Sequence, residues 1–165
     1  MANTDNRNSY LQRLIGAAAL DVAIYEEVEA DRSATGQALS VVLLFGLAVG
    51  VGFLGLTQPG GPYVARAVVT MLAFVAGWLA WALLTFQVGV RLMPAPGTQS
   101  DTGELARTLG FSASPGFLCV FGALPGLAQP VVIIVLIWML ASMIVAVRQA
   151  LDYRSTGRAI AVCIV

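Results

Sequence analysis

The chain has 165 residues, of which 58% are hydrophobic and only 11% are charged. A water-soluble domain carries about 25% charged residues, so this composition excludes an ordinary soluble domain and indicates a protein solvated by lipid. The nine cations are all arginines and balance nine carboxylates, so no net charge favours nucleic acid as a partner. Histidine is absent, which excludes imidazole metal sites, Ser-His and Cys-His nucleophiles and histidine proton relays.

Residues 1–37 are predicted to form a cytoplasmic N-terminal region with one amphipathic helix. Ser9 and Gln12 match a capping box, in which each side chain satisfies a backbone donor at the helix start. Apolar residues then recur at helical spacing and are expected on one face, resting on the bilayer surface. These residues are Leu11, Leu14, Ile15, Ala18, Val22 and Tyr25. A helix packed against the ends of membrane spans has the same pattern, and the two interpretations are compatible.

The predicted helix ends in a cluster of carboxylates: Glu26, Glu27, Glu29 and Asp31. A divalent cation or a basic partner is one interpretation of this cluster, but a solvated face that pairs with nearby arginines is favoured. Acid–base catalysis would need a pocket that raises one carboxyl pKa, and the sequence indicates none. We therefore predict no catalytic, metal or cofactor site and treat the four carboxylates as candidate partner-facing residues.

Three long uncharged stretches, of 33, 24 and 40 residues, follow Arg32, Arg66 and Arg107. A transmembrane helix needs about 17–25 apolar residues, so the first two stretches hold one span each. The third is too long for one helix, and Pro125 with Gly126 is expected to divide it, because proline removes a backbone donor. The four predicted spans are 38–56, 67–90, 111–124 and 130–147.

The arginines set the predicted orientation, because cytoplasmic loops retain positive charge during insertion. With four crossings and a cytoplasmic N-terminus, eight of the nine arginines lie inside and only Arg66 lies outside. If the short third segment were re-entrant, Arg148, Arg154 and Arg158 would move outside. Five arginines would then lie inside and four outside, so the difference between the two sides would nearly disappear. We therefore predict four full crossings. The apolar residues from Ala159 to Val165 cover about 10 Å as a helix and are interpreted as the start of a fifth span.

Two further polar segments are predicted in the cytoplasmic layer. Residues Asp101 to Glu104 are expected to cap a short helix, 105–109, that ends at Gly110. The second segment extends the fourth span and supplies more candidate partner-facing residues: Arg148, Arg154 and Arg158.

Ionisable acids and bases are absent from the four predicted spans, which argues against a proton-coupled transporter or pump but not against a passive pore. Gly46 and Gly50 form a small-xxx-small pair that is typical of close helix packing, within the bundle rather than between two copies. Trp78 and Trp81 lie near the middle of their span, where packing is the favoured interpretation and lipid or pigment contact the alternative.

Several motifs together resemble the Yip1 family of polytopic membrane proteins. They are Trp138, the run from Arg148 to Tyr153, Arg158-Ala159-Ile160, the run from Gly110 to Pro115, and Pro125-Gly126. The resemblance implies a cytoplasmic N-terminus and five spans, the fifth beginning at 159. Eukaryotic members act in vesicle traffic and contact Rab GTPases, but the Asp-Leu-Tyr-Gly-Pro type of motif found in them is absent here. The compact sequence without lysine looks bacterial, which places the protein in a cytoplasmic (inner) membrane.

The sequence thus predicts an all-α transmembrane bundle with four full spans, an incomplete fifth and an N-terminal amphipathic helix. The leading hypothesis is a non-enzymatic Yip1-like protein that organises the membrane or binds a protein partner through its cytoplasmic layer. One alternative is an accessory subunit of a larger energy-transducing or pigment-bearing complex, and another is a small transporter or channel. The expected partners are the lipid bilayer and either another protein or a second copy, with no cofactor and no nucleic acid.

Overall fold

The computed structural model describes residues 8–54, 62–93 and 100–164. All regular secondary structure in these residues is helical. The α-helices are α1 (Tyr10–Ala18), α2 (Val22–Ala30), α3 (Thr35–Leu54), α4 (Tyr63–Phe86), α5 (Thr102–Ser112), α6 (Ala128–Ala150) and α7 (Thr156–Ile164). A π-helical turn, Gln87–Leu92, extends α4, and 3₁₀ segments lie at Arg32–Ala34 before α3 and at Ser114–Ala123 after α5.

Three of the described helical segments are long and apolar enough to cross a membrane: Arg32–Gly52, Val64–Leu92 and Ala128–Ala150. They contain α3, α4 with its π-helical turn, and α6, and they overlap the predicted spans 38–56, 67–90 and 130–147. The prediction of an all-helical bundle with membrane-spanning helices is therefore confirmed. The segment of α4 is the least buried of the three within the protein, so most of its surface is left for lipid.

The third predicted span, 111–124, is not one α-helix. It begins inside α5, and the chain then continues as the 3₁₀ segment Ser114–Ala123. Pro115 lacks the N–H that an α-helix would direct to the carbonyl of Phe111, and the hydroxyl of Ser114 donates to that carbonyl instead. Hydroxyl groups that bond nearby carbonyls compete with regular α-helix geometry, which accounts for the change at this point.

The same segment runs alongside α3. At one end Gly110 packs on Ala38, where an added Cβ would lie 2.7 Å from the alanine Cβ. At the other end Gly52 lies against the carbonyl of Cys119 and beside Gly122. Between these two contacts Gly116 of the 3₁₀ segment packs on Phe45, so the end of α5 and the 3₁₀ segment together follow α3 from Ala38 to Gly52. The prediction that a short helix ends at Gly110 was wrong, because α5 continues to Ser112 and Gly110 provides close packing.

The N-terminal region contains two helices where the sequence predicted one. The predicted capping box is present: the Ser9 N–H donates to Gln12 Oε1 at 2.7 Å, and the Gln12 N–H donates to the Ser9 hydroxyl at 3.3 Å. The helix ends early because Leu20 adopts a left-handed conformation with φ of 63°. Asp21 then caps α2 by accepting from the Ala23 N–H.

Helices α1 and α2 fold back on each other as a hairpin. The Asn8 N–H donates to Glu27 Oε1 at 3.1 Å at the open end, and Gly16 packs against Ile24 near the turn. The predicted single amphipathic face is therefore divided between two helices. Tyr25 is buried on α2, whereas Leu11 and Ile15 are exposed on α1.

The main core lies where α2, the start of α3, α5 and the end of α6 meet. Its largest fully buried apolar side chains include Tyr25, Val28, Leu105, Phe111 and Leu151. After α6 the chain turns at Asp152, which has φ of 51°, and the Tyr153 hydroxyl donates to the carbonyls of Gly89 and Met93 at 3.0 and 2.8 Å. This turn holds the end of α6 against the end of α4 and sets the start of α7.

Candidate functional site

The polar residues concentrate at one end of the bundle. We call α1, α2, α5 and the turn 151–155 after α6 the N-terminal layer. Its best-connected side chain is Arg13, which is only 2% exposed. The guanidinium group donates to Glu27 Oε1 and Asp31 Oδ2, both at 2.8 Å, and to Gln37 Oε1 at 2.9 Å. A buried ion pair is tolerated only when its hydrogen bonds are satisfied, and these contacts join α1, α2 and the start of α3.

The carboxylates that face Arg13 are held in their charged form. Hydrogen bonds from the Ser33 hydroxyl and from Arg13 lower the pKa of Asp31 to about 2. Burial on its own would raise the pKa of Glu27, but hydrogen bonds from Asn8 and Arg13 outweigh that effect and lower it. Arg13 therefore lies between two ionised carboxylates.

Arg107 forms the second buried charge site. Its Nε donates to the carbonyls of Val28 and Glu29, both at 3.2 Å, and its Nη2 donates to the Glu29 carbonyl at 2.5 Å. The last carbonyls of a helix lack intrahelical donors and carry partial negative charge, so Arg107 caps the C-terminal end of α2. It thereby fastens α5 to the hairpin.

The predicted partner-facing carboxylates have three different environments. Glu27 and Asp31 neutralise Arg13, and Glu26 accepts from the Gln149 side chain on α6 at 3.0 Å. Glu29 is half-buried; burial, together with the nearby charges of Asp152 and Glu104, raises its pKa to about 7. Among the described residues, no group of three or more carboxylates or cysteines is arranged to hold a metal ion.

The predicted partner-facing arginines lie apart from Arg13 and its carboxylates. Arg148 donates from Nε to the carbonyl of Tyr153 at 3.3 Å, which closes the turn after α6. Arg154 and Arg158 are exposed on that turn and at the start of α7. The sequence did not identify Arg13 or Arg107 as site residues, because their contacts join separate segments of the chain.

The predicted glycine pair lies on the face of α3 that meets α4. An added Cβ on Gly46 would lie 2.9 Å from Met71 Cα, and one on Gly50 would lie 3.4 Å from Ala67 Cα. The first distance leaves no room for a Cβ at Gly46, whereas the second is close to ordinary van der Waals contact. The backbones of α3 and α4 therefore approach most closely at Gly46.

Two indole groups link the N-terminal layer to the long helices. Trp138 of α6 donates from Nε1 to the Ala18 carbonyl at 2.7 Å, and Trp78 of α4 donates to the Ala106 carbonyl at 2.9 Å. Both tryptophans lie near the middle of their helices. The hairpin turn and α5 therefore extend from this end along the sides of the long helices.

An apolar cavity of about 430 Å³ lies between α4 and α6. This volume falls within the range of about 300–1,000 Å³ that is typical of small-molecule sites. Its lining includes Phe45, Phe74, Trp78, Trp81, Met139 and Met143. The hydroxyl of Ser112, which also lines it, already donates to the Leu109 carbonyl at 2.8 Å, so the cavity suits an apolar occupant.

The model of the Yip1 domain family matches residues 22–165 of the chain, a range that contains every helix from α2 to α7. No curated protein and no solved structure matches the chain. The Yip1 family is generally one of non-enzymatic membrane proteins, in agreement with the apolar helices described above. Because the match covers most of the sequence, the resemblance predicted from the motifs is confirmed, and the chain belongs to the Yip1 family.

Proposed function

We propose that this protein organises the membrane or binds a protein partner through its N-terminal layer. The observation that carries the proposal is the placement of its buried charges. Arg13 and Arg107 are buried in this layer and join α1, α2, α3 and α5 into one body. Buried charge is costly unless it is fully paired, so a rigid, charged platform on an otherwise apolar bundle points to a function at that end.

We further propose four complete crossings, with the N-terminal layer on the cytoplasmic side of a bacterial inner membrane and α7 as the start of a fifth span. The 3₁₀ segment Ser114–Ala123 lies alongside α3, which supports a crossing by the short third segment. The distribution of arginine, eight against one across the membrane, supports the orientation. Labelling of single cysteines with an impermeant reagent in intact cells tests both statements: position 66 should react and position 154 should not.

The surface that we assign to a partner comprises Glu26 and Glu29 of α2, Arg154 of the turn after α6, and Arg158 at the start of α7. Purification from native membranes in mild detergent after cross-linking tests this assignment. A companion should be retained by the wild-type chain and by Arg66→Gln, and lost from the double variant Arg154→Gln/Arg158→Gln. A stable monomer without companions would contradict partner binding and leave membrane organisation as the proposed role.

Two alternatives remain as proposals with separate tests. An accessory subunit of a larger complex is supported by the open apolar cavity between α4 and α6, which a partner helix or pigment would fill, and it should co-migrate with that complex on a native gel. A small transporter or channel should give flux in liposomes. The apolar lining of the cavity disfavours ion passage, and an absence of flux would remove this alternative.

A further inference from the structure

The depth of the hairpin turn follows from the hydrogen bond between Trp138 and Ala18. Trp138 lies twelve residues before the end of α6, which corresponds to about 18 Å at 1.5 Å per residue. The hydrocarbon core of a bilayer is about 30 Å thick, so a turn beside Trp138 lies close to its middle. At the other end of the hairpin, Glu26 contacts Gln149 near the end of α6. The hairpin therefore lies along one half of this helix.

The outer face of α1 is mainly apolar, with Gln12 as its exposed polar residue. Leu11 and Ile15 are 63% and 62% exposed, and their spacing of four residues places them on one face of α1. This exposure is comparable to that of Ile137 on α6, at 67%. The opposite face of α1 carries the buried Arg13 and Ala17. Exposed apolar surface of this kind marks a contact with protein or lipid, and the end of α1 is bonded to the membrane-spanning α6 through Trp138 and Ala18.

The described residues place more helices beside the long helices on the N-terminal side than on the opposite side. On the N-terminal side, α1, α2 and α5 lie beside the long helices, held there by Trp138 and Trp78. On the opposite side, the described residues place α3, α4, α6 and the 3₁₀ segment Ser114–Ala123. A helix inserted into one leaflet binds in a manner that depends on membrane curvature, because it expands that leaflet relative to the other.

We propose that the α1–α2 hairpin is embedded among the acyl chains of the leaflet on the N-terminal side and acts as a wedge that favours membrane convex on that side. This inference rests on the membrane-organising part of the proposed function and gives it a mechanism. The turn also carries Asp21, whose carboxylate accepts from the Ala23 N–H. A carboxylate at this depth is costly and requires local thinning of the bilayer or entry of water.

The first test measures depth. Nitroxide labels on single cysteines at positions 11 and 15, in a Cys119→Ala/Cys163→Ala background in liposomes, are compared with labels at 137 and 155. We expect positions 11 and 15 to be accessible to oxygen and shielded from a water-soluble nickel complex, as position 137 is. Position 155 follows α6 in an exposed turn and serves as the reference for a water-exposed site. The proposal would be overturned if positions 11 and 15 were as accessible to the nickel complex as position 155.

The second test measures curvature preference. The protein is reconstituted into a mixture of small and large vesicles of one lipid composition, and its density per lipid is measured in each. We expect a several-fold higher density in the small vesicles when the N-terminal side faces outward. The variant Leu11→Asn/Ile15→Asn should lose the preference, whereas Val64→Asn/Val69→Asn, with exposed residues on α4, should keep it. Helix content by circular dichroism shows that each variant is folded.

The outcomes separate this inference from the proposed function. Equal densities in small and large vesicles for the folded wild-type protein would overturn the wedge, and partner binding would still be decided by cross-linking. A curvature preference without any co-purified companion would support the wedge and contradict partner binding.

Discussion

The two ends of the bundle hold their helices together by different means. In the N-terminal layer, charged and polar side chains join segments that are distant in sequence, as Arg107 does when it reaches the carbonyls of α2 across 79 positions. In the opposite half, which we call the glycine-packed half, backbones touch directly. There Gly46 and Gly50 lie against α4, and Gly52 lies against Cys119.

The difference follows from the solvent that each half meets. In lipid there is no hydrophobic force between helices, so close packing through small residues holds the glycine-packed half together. Near the membrane boundary, a cation such as Arg13 that is buried away from water needs a complete set of hydrogen-bond partners. The stability of the glycine-packed half should therefore depend on side-chain volume, and that of the N-terminal layer on its buried charges.

The largest effect is expected for Arg13→Met. The substitution leaves Glu27 and Asp31 without their cation in a mostly buried site, and removal of one partner of a buried pair costs about 3 kcal/mol. Thermal unfolding in detergent measures the change. Arg154→Met, on an exposed side chain, should stay within about 0.5 kcal/mol of wild type. Adding Glu27→Gln to Arg13→Met should recover part of the loss, and no recovery would contradict a charge-based role.

A smaller loss is expected for Gly52→Ala in the glycine-packed half. The new Cβ would lie 2.1 Å from the Cys119 carbonyl oxygen, so the 3₁₀ segment must shift, and overpacking of this kind costs about 1–3 kcal/mol. Gly77→Ala is the matched control, because its Cβ meets nothing within 4 Å. Since alanine is the better helix former, this control should be neutral or stabilising. Equal effects of both variants would contradict close packing at Gly52.

Local features of this fold could be predicted from sequence, and features that join distant segments could not. The capping boxes at Ser9–Gln12 and Asp101–Glu104 were predicted and are present, because each depends on residues three positions apart. The break at Leu20 was missed, since a left-handed leucine is uncommon and no glycine marks it.

The candidate site was predicted only in part. The carboxylates Glu27 and Asp31 were identified from their clustering, and pairing with an arginine was the favoured interpretation. The sequence did not show that Arg13 is this arginine, because the pairing requires the chain to reverse between α1 and α2. The long apolar helices were predictable because their length and lack of charge follow from bilayer thickness alone.

Trp138→Phe tests how the hairpin is attached. The substitution keeps an aromatic ring but removes the indole donor to the Ala18 carbonyl, a hydrogen bond worth about 1 kcal/mol. Hydrogen exchange should become faster at the α1–α2 turn, around Ala18 and Asp21, with little change in α3. Trp81→Phe, at a tryptophan that lines the cavity, should leave exchange at the turn unchanged. Uniform acceleration throughout the chain would instead indicate a general loss of stability.

The smallest effect is a dependence on pH from Glu29. Its pKa rises from 4.5 to about 7 on folding, so the folded state binds more protons than the unfolded state between these values. The stabilisation from this group is full below pH 4.5 and is lost as pH rises through 7. Asp31 has the opposite sign, because its pKa falls from 3.8 to about 2, and its stabilisation is lost only in stronger acid.

Thermal unfolding in detergent between about pH 5 and pH 8 separates the two carboxylates. Wild type should lose stability across this range, and Glu29→Gln should lose less. Asp31→Asn should be less stable than wild type by a constant amount, because Asp31 is ionised throughout the range in both states. The same pH dependence in Glu29→Gln as in wild type would show that neither burial nor the charges of Asp152 and Glu104 raise the pKa of Glu29. It would contradict the packing of α2, α5 and the turn after α6 in the N-terminal layer.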